Sequence, residues 1–517
     1  MRRRIQLLAG AVGTATLLVG CEASPGSAPS GISEFTFAAS APVSLDVAKN
    51  YNIADTNIMS MVTEPLENLA QDGTYTPLLA SSVTQPDKKT IVYNLRAGVE
   101  FSDGSALTAE DVAWSLKHVT GESAQTRNTL EYVTSVAVTG KQQVTVTLSQ
   151  PDPLTRAALS VVGLIQRKSF AEAHAADLGS ASAVPVGTGP YLVDTYTPDK
   201  VTLKRNSGYW GRKPAPDRLV FTAVAGETKS QLAMRSGEVQ GGVISDLTSI
   251  KQWKKIAGTS VYNVPALQSN FLVLDVTAPP FDDVNVRRAV AYSLDRQGLL
   301  AAAFSSQVKP LKSYLPDEIV RGAAPSPADG DSFLAGLPQY PFDLDKAKQA
   351  LAKSKYRGKL SFPVYFLNEL PWSKLAALNL ETNLAKIGVK AEPRQISRNA
   401  WMESVYAKKA KTPMPYSLGT FAPVPNGLDK VVGKGAFNVA KFSTPATRSA
   451  LPGLNGTDAQ RWDSTKALLG AIADDVPYIP VFQGAHVSVL AKGYSYGRPP
   501  TLLDYAQGVN IRLLKAR

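Results

Sequence analysis

The chain has 517 residues, 44% of them apolar and 19% charged, with mean hydropathy near zero; at about 150 residues per domain this predicts roughly three globular domains. No run of 18 apolar residues occurs, which excludes a polytopic membrane protein; a single cysteine excludes a disulfide framework and an all-cysteine zinc site; and His118, His174 and His486 are too scattered for a histidine metal centre. The net charge of +12 comes without a long basic run, so it reads as a solvated surface and nucleic acid is not an expected partner.

The chain opens with Arg2, Arg3 and Arg4, then a 15-residue stretch over 5–19 that is apolar or small apart from Gln6. That length suits the h-region of a secretory signal better than a spanning helix. It ends Leu18-Val19-Gly20-Cys21, which resembles the bacterial lipobox, so residues 1–20 read as a signal peptide and Cys21 as a lipidated first residue. Residues 21–31 are rich in Ser, Gly, Pro and Ala, a composition that buries no core and reads as a tether. Two or three acyl chains on Cys21 would anchor the protein stably to the outer face of the membrane, where one chain would not.

Mixed α/β patterning follows. Residues 34–39, 90–95, 136–138 and 144–148 alternate as strands. Thr108 and Asp111 have the spacing of a capping box before an apolar run, predicting a helix from there. Residues 287–304 carry one long helical pattern, and 345–353, 374–386 and 463–474 carry others. Gly388 is placed as a C-cap, and Pro477 follows the last helix. No internal repeat, phosphate-binding loop, nucleophile elbow or His-Glu-x-x-His motif occurs, so no cofactor, metal or catalytic residue is expected.

Four segments stand out together. They are the stretch from Leu95 to Val112 containing Phe101-Ser-Asp-Gly104; Pro185-Val-Gly-Thr-Gly-Pro-Tyr191 with Tyr209-Trp210-Gly211; Pro280-Phe281 through Arg287-Arg288 to Asp295; and the stretch from Leu380 to Lys390 with Asp475-Val-Pro-Tyr-Ile-Pro-Val481. In this order they resemble extracytoplasmic solute-binding protein family 5 of ABC importers, over about residues 44–481. In the Gly187-Thr-Gly189 loop, glycine is expected for backbone angles that other residues avoid.

The resemblance implies a periplasmic-binding-protein-like α/β fold, the large type II form, with two lobes, hinge strands and an inserted subdomain. Lobe I would comprise 32–67, 186–275 and 488–517, the insert 68–185 and lobe II 276–487. It implies a non-enzymatic, substrate-binding lipoprotein that captures a peptide or peptide-like solute by hinge closure. Its partners would be a membrane permease, met directly, and the ATPase subunits. The family's ammonium-binding aspartate loop matches Tyr416-Ser-Leu-Gly419-Thr-Phe421-Ala-Pro-Val-Pro-Asn426, where Phe421 replaces tryptophan and Asn426 stands near the expected aspartate, with Asp429 three residues on. A neutral Asn426 loses a charge-assisted hydrogen bond to an ammonium. Candidate ligand contacts are Tyr51, Glu64, Trp401, Tyr416, Gly419, Phe421 and Asn426, the aromatics as stacking platforms. Asp46 is expected to cap a turn, Arg287 and Arg288 to make structural ion pairs, and Trp114 and Trp210 to pack. Two alternatives are a tethered ligand sensor of the same fold and an exported lipoprotein hydrolase.

Overall fold

The computed structural model describes residues 31–517 except positions 41, 51, 357, 359, 408–411 and 421–423, and describes 53, 54, 406 and 426 by backbone alone. Cys21, Tyr51 and Phe421 lie outside the described residues. The main sheet has eight strands: β1 (Ile32–Ala39), β2 (Tyr191–Thr197), β3 (Lys200–Arg205), β4 (Pro216–Ala223), β5 (Gly241–Val243), β6 (Ser260–Val273), β7 (Met414–Gly419) and β8 (Tyr478–Leu490). Their spatial order is β7-β6-β8-β5-β1-β4-β3-β2. β1 runs parallel to both β4 and β5, whereas β6 is antiparallel to β7 and β8. A second, four-stranded antiparallel sheet spans Ala80–Asp87, Thr90–Leu95, Val133–Gly140 and Gln143–Leu148. Its Thr90–Leu95 strand alternates buried Ile91, Tyr93 and Leu95 with half-buried neighbours, as the period-two pattern requires.

The apolar side chains collect in separate cores. One joins β1 to β4, the four-stranded sheet and the C-terminal residues, around Phe35, Phe37, Tyr93, Val112 and Tyr505. Two others hold Leu272, Trp372 and Phe482, and Phe271, Tyr314 and Tyr478. The long strands β6 and β8 run from one body into the other. Their outer halves pair Ser260 with Leu490 through Pro265 with Ala485, beside β5; their inner halves pair Ser269 with Gln483 through Val273 with Tyr478, beside β7. The register slips between these halves, at Pro265 to Ser269. Pro265 has no N–H to give the ladder, and an irregularity is where a strand bends. Gln71 donates to the Pro265 carbonyl at 2.8 Å and Gln483 to the Ala266 carbonyl at 3.0 Å, which satisfies the backbone that the slip frees.

Local signals form as the sequence predicts where they depend on near neighbours. Thr108 and Asp111 make the capping box of helix Ala109–Thr120, and Gly388 sits at φ 81° after helix Pro371–Ala385. The single helix expected over 287–304 is instead two, Val284–Ser293 and Arg296–Phe304. Asp295 breaks it by capping the second, its carboxylate accepting from Gly298 N at 2.9 Å. Gly187 and Gly189 differ from expectation too: neither has positive φ. They are glycine because a Cβ would strike the carbonyls of Val62 and Met61 and the Thr63 backbone, where the loop crosses the preceding segment. Buried Asp46 accepts from Ala48 N at 3.1 Å, closing a turn, and also holds His118 Nε2 at 2.9 Å. Arg287 holds the carbonyls of Phe281 and Asp475, each at 2.6 Å. Arg288 holds the carbonyl of Asp474.

Candidate ligand-binding cleft

Where β6 and β8 pass between the two bodies lies a cleft of about 360 Å³ that opens to solvent, with Leu267 and Gln268 of β6 in its lining. The first lobe contributes Gln71, Asn128, Thr129, Asp152, Leu154, Leu502, Leu503 and Ala506. The second contributes Leu418, Gly419, Thr420, Gly427, Lys430 and Phe437, and the connecting strand β6 supplies Leu267 and Gln268. Leucines and Phe437 make up much of the wall, with a few amides and hydroxyls between them, the usual make-up of a small-molecule site.

Two charged side chains reach this wall, Asp152 and Lys430, and each has partners within the protein. Asp152 caps helix Pro153–Val162, accepting from Leu154 N at 3.2 Å and Thr155 Oγ1 at 2.7 Å. Lys430, at the end of the short 3₁₀ helix Pro425–Lys430, crosses the cleft to Glu131 at 2.5 Å and lies 4.9 Å from the Tyr132 ring centre. Lys88 makes a second crossing, to the carbonyls of Asn455 and Gly456 at 3.3 and 2.7 Å. Asp429 lies beside the wall, next to Lys430, with its side chain partly exposed. Its Oδ1 is covered by protein without a hydrogen-bond partner, and burial pushes its carboxyl up to about 6 despite Lys430 at 4.0 Å.

The residues expected to bind ligand separate into two groups. Gly419, at the end of β7 opposite Gln268, lines the cleft, and Asn426 immediately precedes Gly427, which lines it too. Glu64 does not belong to the site. It is fully buried, and its oxygens accept from Tyr209 Oη at 2.6 Å, Arg512 Nη2 at 2.8 Å, Trp210 Nε1 at 3.0 Å and Thr188 Oγ1 at 3.1 Å. Four donors leave it no capacity for a ligand cation. Tyr416 is buried against Phe271, and Trp401 tilts against Tyr416 with its indole N–H on the Pro415 carbonyl at 2.8 Å. Both are packing residues, because β7 turns that face into the second lobe's core. Trp210 packs on the first core under Arg96, and Trp114 stacks on His118.

Sequence reasoning missed Gln71, Asn128, Asp152, Gln268 and Lys430. Asp152-Pro153 carries a readable helix-start signal, but nothing local marks it as facing a cleft.

Comparison with known proteins decides the family. The family described as bacterial extracellular solute-binding proteins, family 5 Middle, matches residues 74–438. The chain belongs to this family. An ABC transporter peptide-binding protein of Brucella ovis is 24% identical over 412 residues, covering 75% of this chain and 73% of its own. A di/tripeptide-binding protein of Pseudomonas aeruginosa is 26% identical over 404 residues, covering 71% and 72%. Among solved structures, the ABC transporter substrate binding protein CtaP of Listeria monocytogenes superposes with a TM-score of 0.79 at 20% identity, covering 94% of this chain and 99% of its own. The fold is therefore the two-lobed α/β binding-protein fold, and the chain is a solute-binding protein of an ABC transporter rather than an enzyme. Among the described residues, no helix is long and apolar enough to cross a membrane.

Proposed function

We propose that the protein captures a peptide or peptide-like solute in the cleft between its lobes and delivers it to an ABC permease on the outer side of the membrane. The observation that carries this reading is the cleft itself, walled from both lobes beside β6, whose pairing with β8 slips register there. In such a frame a ligand touches both walls only when the lobes are together, so its binding energy favours the closed form. Lobe I comprises 32–67, 186–275 and 488–517, the insert 68–185 and lobe II 276–487; the slip at Pro265 to Ser269 is the bending point on β6. The named peptide-binding relatives support the ligand class. Residues 1–20 are a signal, and Cys21 carries the lipid that tethers the domain through 21–31.

The direct test is a binding screen of the purified protein against short peptides, sugars and metal complexes, read as melting-temperature shift. A ligand at a hundredfold excess over Kd stabilises by about 2.7 kcal/mol. Peptides are expected to give the largest shift; a response confined to sugars or metal complexes would refute the ligand class. For the tether, Cys21→Ala is expected to release the protein from membranes. Retention of the variant on membranes after normal processing would refute lipidation.

A further inference from the structure

We propose that the end of lobe I from which β1 starts is a basic surface that rests on the anionic phospholipid headgroups of the membrane, and so holds lobe II and the cleft away from the bilayer. This goes beyond the reading of the cleft as a peptide site. It draws on the reading of Cys21 as the lipid site only through the length of the tether.

The sheet topology brings this surface together. β1 runs parallel to β4 and β5, with Ile32 beside Pro216 and Phe37 beside Gly241, so the segments leading into β4 and β5 lie at the end where β1 begins. β8 runs the other way and leaves the sheet here, Leu490 pairing with both Gly241 and Ser260, the first residue of β6. The C-terminal strand Leu514–Ala516 folds onto the same end. It pairs with Tyr494–Tyr496, Tyr494 sets its ring edge-on to Phe35 of β1 at 4.8 Å, and Arg517 donates to Ser260 Oγ at 3.3 Å. Gly258, just before β6, packs on the Lys492 side chain.

Six cations stand in these segments: Arg212 and Lys213 ahead of β4, Lys254 and Lys255 ahead of β6, Lys492 after β8, and Lys515 in the last strand. All are exposed, and among the described residues none pairs with a carboxylate; Lys254 reaches the neutral amide oxygen of Gln307. The acids at this end are mostly paired. Glu34 holds Arg218 at 3.3 Å and Asp217 holds Arg205 at 2.7 Å, which leaves Glu238, three residues from Arg235. The +12 charge shows no basic run in the sequence, yet part of it is concentrated here because distant segments meet at one end of the sheet. A cluster of like charges repels itself and is relieved by a surface of opposite sign.

The tether argues for lipid as that surface. At no more than about 3.5 Å per residue, the stretch from Cys21 to Ile32 spans less than about 40 Å, and as a coil about 20 Å. A lipid on Cys21 thus keeps this end of the sheet beside the bilayer, where exposed Lys and Arg are drawn to anionic headgroups. β6 leads away from it, from Ser260 to Val273 in about 40 Å of strand, and the cleft residues Leu267 and Gln268 stand about 25 Å along.

Vesicle binding tests the surface without the anchor. The chain from residue 22, which has no lipid site and keeps every described element, is sedimented with vesicles of phosphatidylcholine alone or with about a third phosphatidylglycerol. Binding at least about tenfold greater to the anionic vesicles at ~50 mM salt, and lost at ~0.5 M, is expected. Equal binding to both vesicles, or to neither, overturns the proposal. Changing Lys254, Lys255, Lys492 and Lys515 together to Gln is expected to weaken binding to anionic vesicles at least about tenfold at unchanged melting temperature. Changing as many exposed lysines of lobe II, Lys346, Lys348, Lys353 and Lys374, is expected to leave it within about twofold. An equal loss in both sets would make net charge the cause and overturn the assignment to this surface. Failure in this assay leaves the Cys21 reading standing, because the protein tested carries no lipid.

Discussion

Glu64 shows how far one residue's meaning depends on what surrounds it. A glutamate before a proline reads equally as ligand or surface, yet here it joins Tyr209, Trp210, Thr188 and Arg512, tying the C-terminal segment to the Gly187–Gly189 loop region. Removing one partner of a buried ion pair strands the other, which costs about 3–5 kcal/mol. Glu64→Ala is therefore expected to lower stability by roughly that amount in urea unfolding, while the folded fraction binds ligand with unchanged affinity. His486 makes a second point at this scale. It lies on β8, its ring 4.9 Å from that of Tyr505, its Nε2 without a partner, and burial pulls its pKa down to about 4 against the weaker pull of Asp504. A base whose folded pKa is depressed contributes stability that is fully present above about 6.5 and lost as pH falls through 4. His486→Phe keeps the ring contact and removes the proton site. Its melting temperature is expected to fall less than the wild type's between pH 6.5 and 4, and parallel profiles would contradict this.

Elements obey local rules until a side chain interrupts them. The pattern over 287–304 is apolar at helical spacing throughout, but Asp295 offers its carboxylate to the backbone and starts a new helix. Periodicity cannot see this, because Asp fits the polar face of a continuous helix equally well. The interlobe contacts are decided at the same scale: the 3₁₀ helix ending at Lys430 aims that side chain at Glu131 and the Tyr132 ring, 299 positions earlier in sequence. Because Lys430 and Glu131 stand on opposite walls, Glu131→Gln removes charge from a contact that draws the lobes together. The variant is expected to have a larger radius of gyration without ligand by X-ray scattering, and several-fold weaker ligand binding through the closure it must now complete. An unchanged radius and affinity would show that this contact has no part in closure.

At the scale of the whole molecule, the architecture was legible because its signals are short-range. Capping at i to i+3, strand alternation at period two and the Asp103-Gly104 turn, with Gly104 at φ 83°, all act between near neighbours, and their order along the chain carries the family resemblance. The same reading pointed to Gly419 and Asn426, of which Gly419 lines the cleft. It misjudged Tyr416 and Trp401, because an aromatic near a binding loop serves stacking on a ligand or packing in a core with the same chemistry. It could not find the opposing wall, because Gln71, Asn128 and Leu502 belong to segments that meet only through the sheet.

The sequence by itself determined the family, the α/β class, several helix and strand positions and the neutrality of the loop from Thr420 to Leu428. Only the tertiary structure decided which charges are already in use. Asp152, Asp429, Lys430 and Glu64 all look available in a linear chain. Glu64 is held by four buried donors and Lys430 by Glu131, while Asp152 caps a helix and burial raises the Asp429 carboxyl, and those are properties of distance and dielectric rather than of residue order.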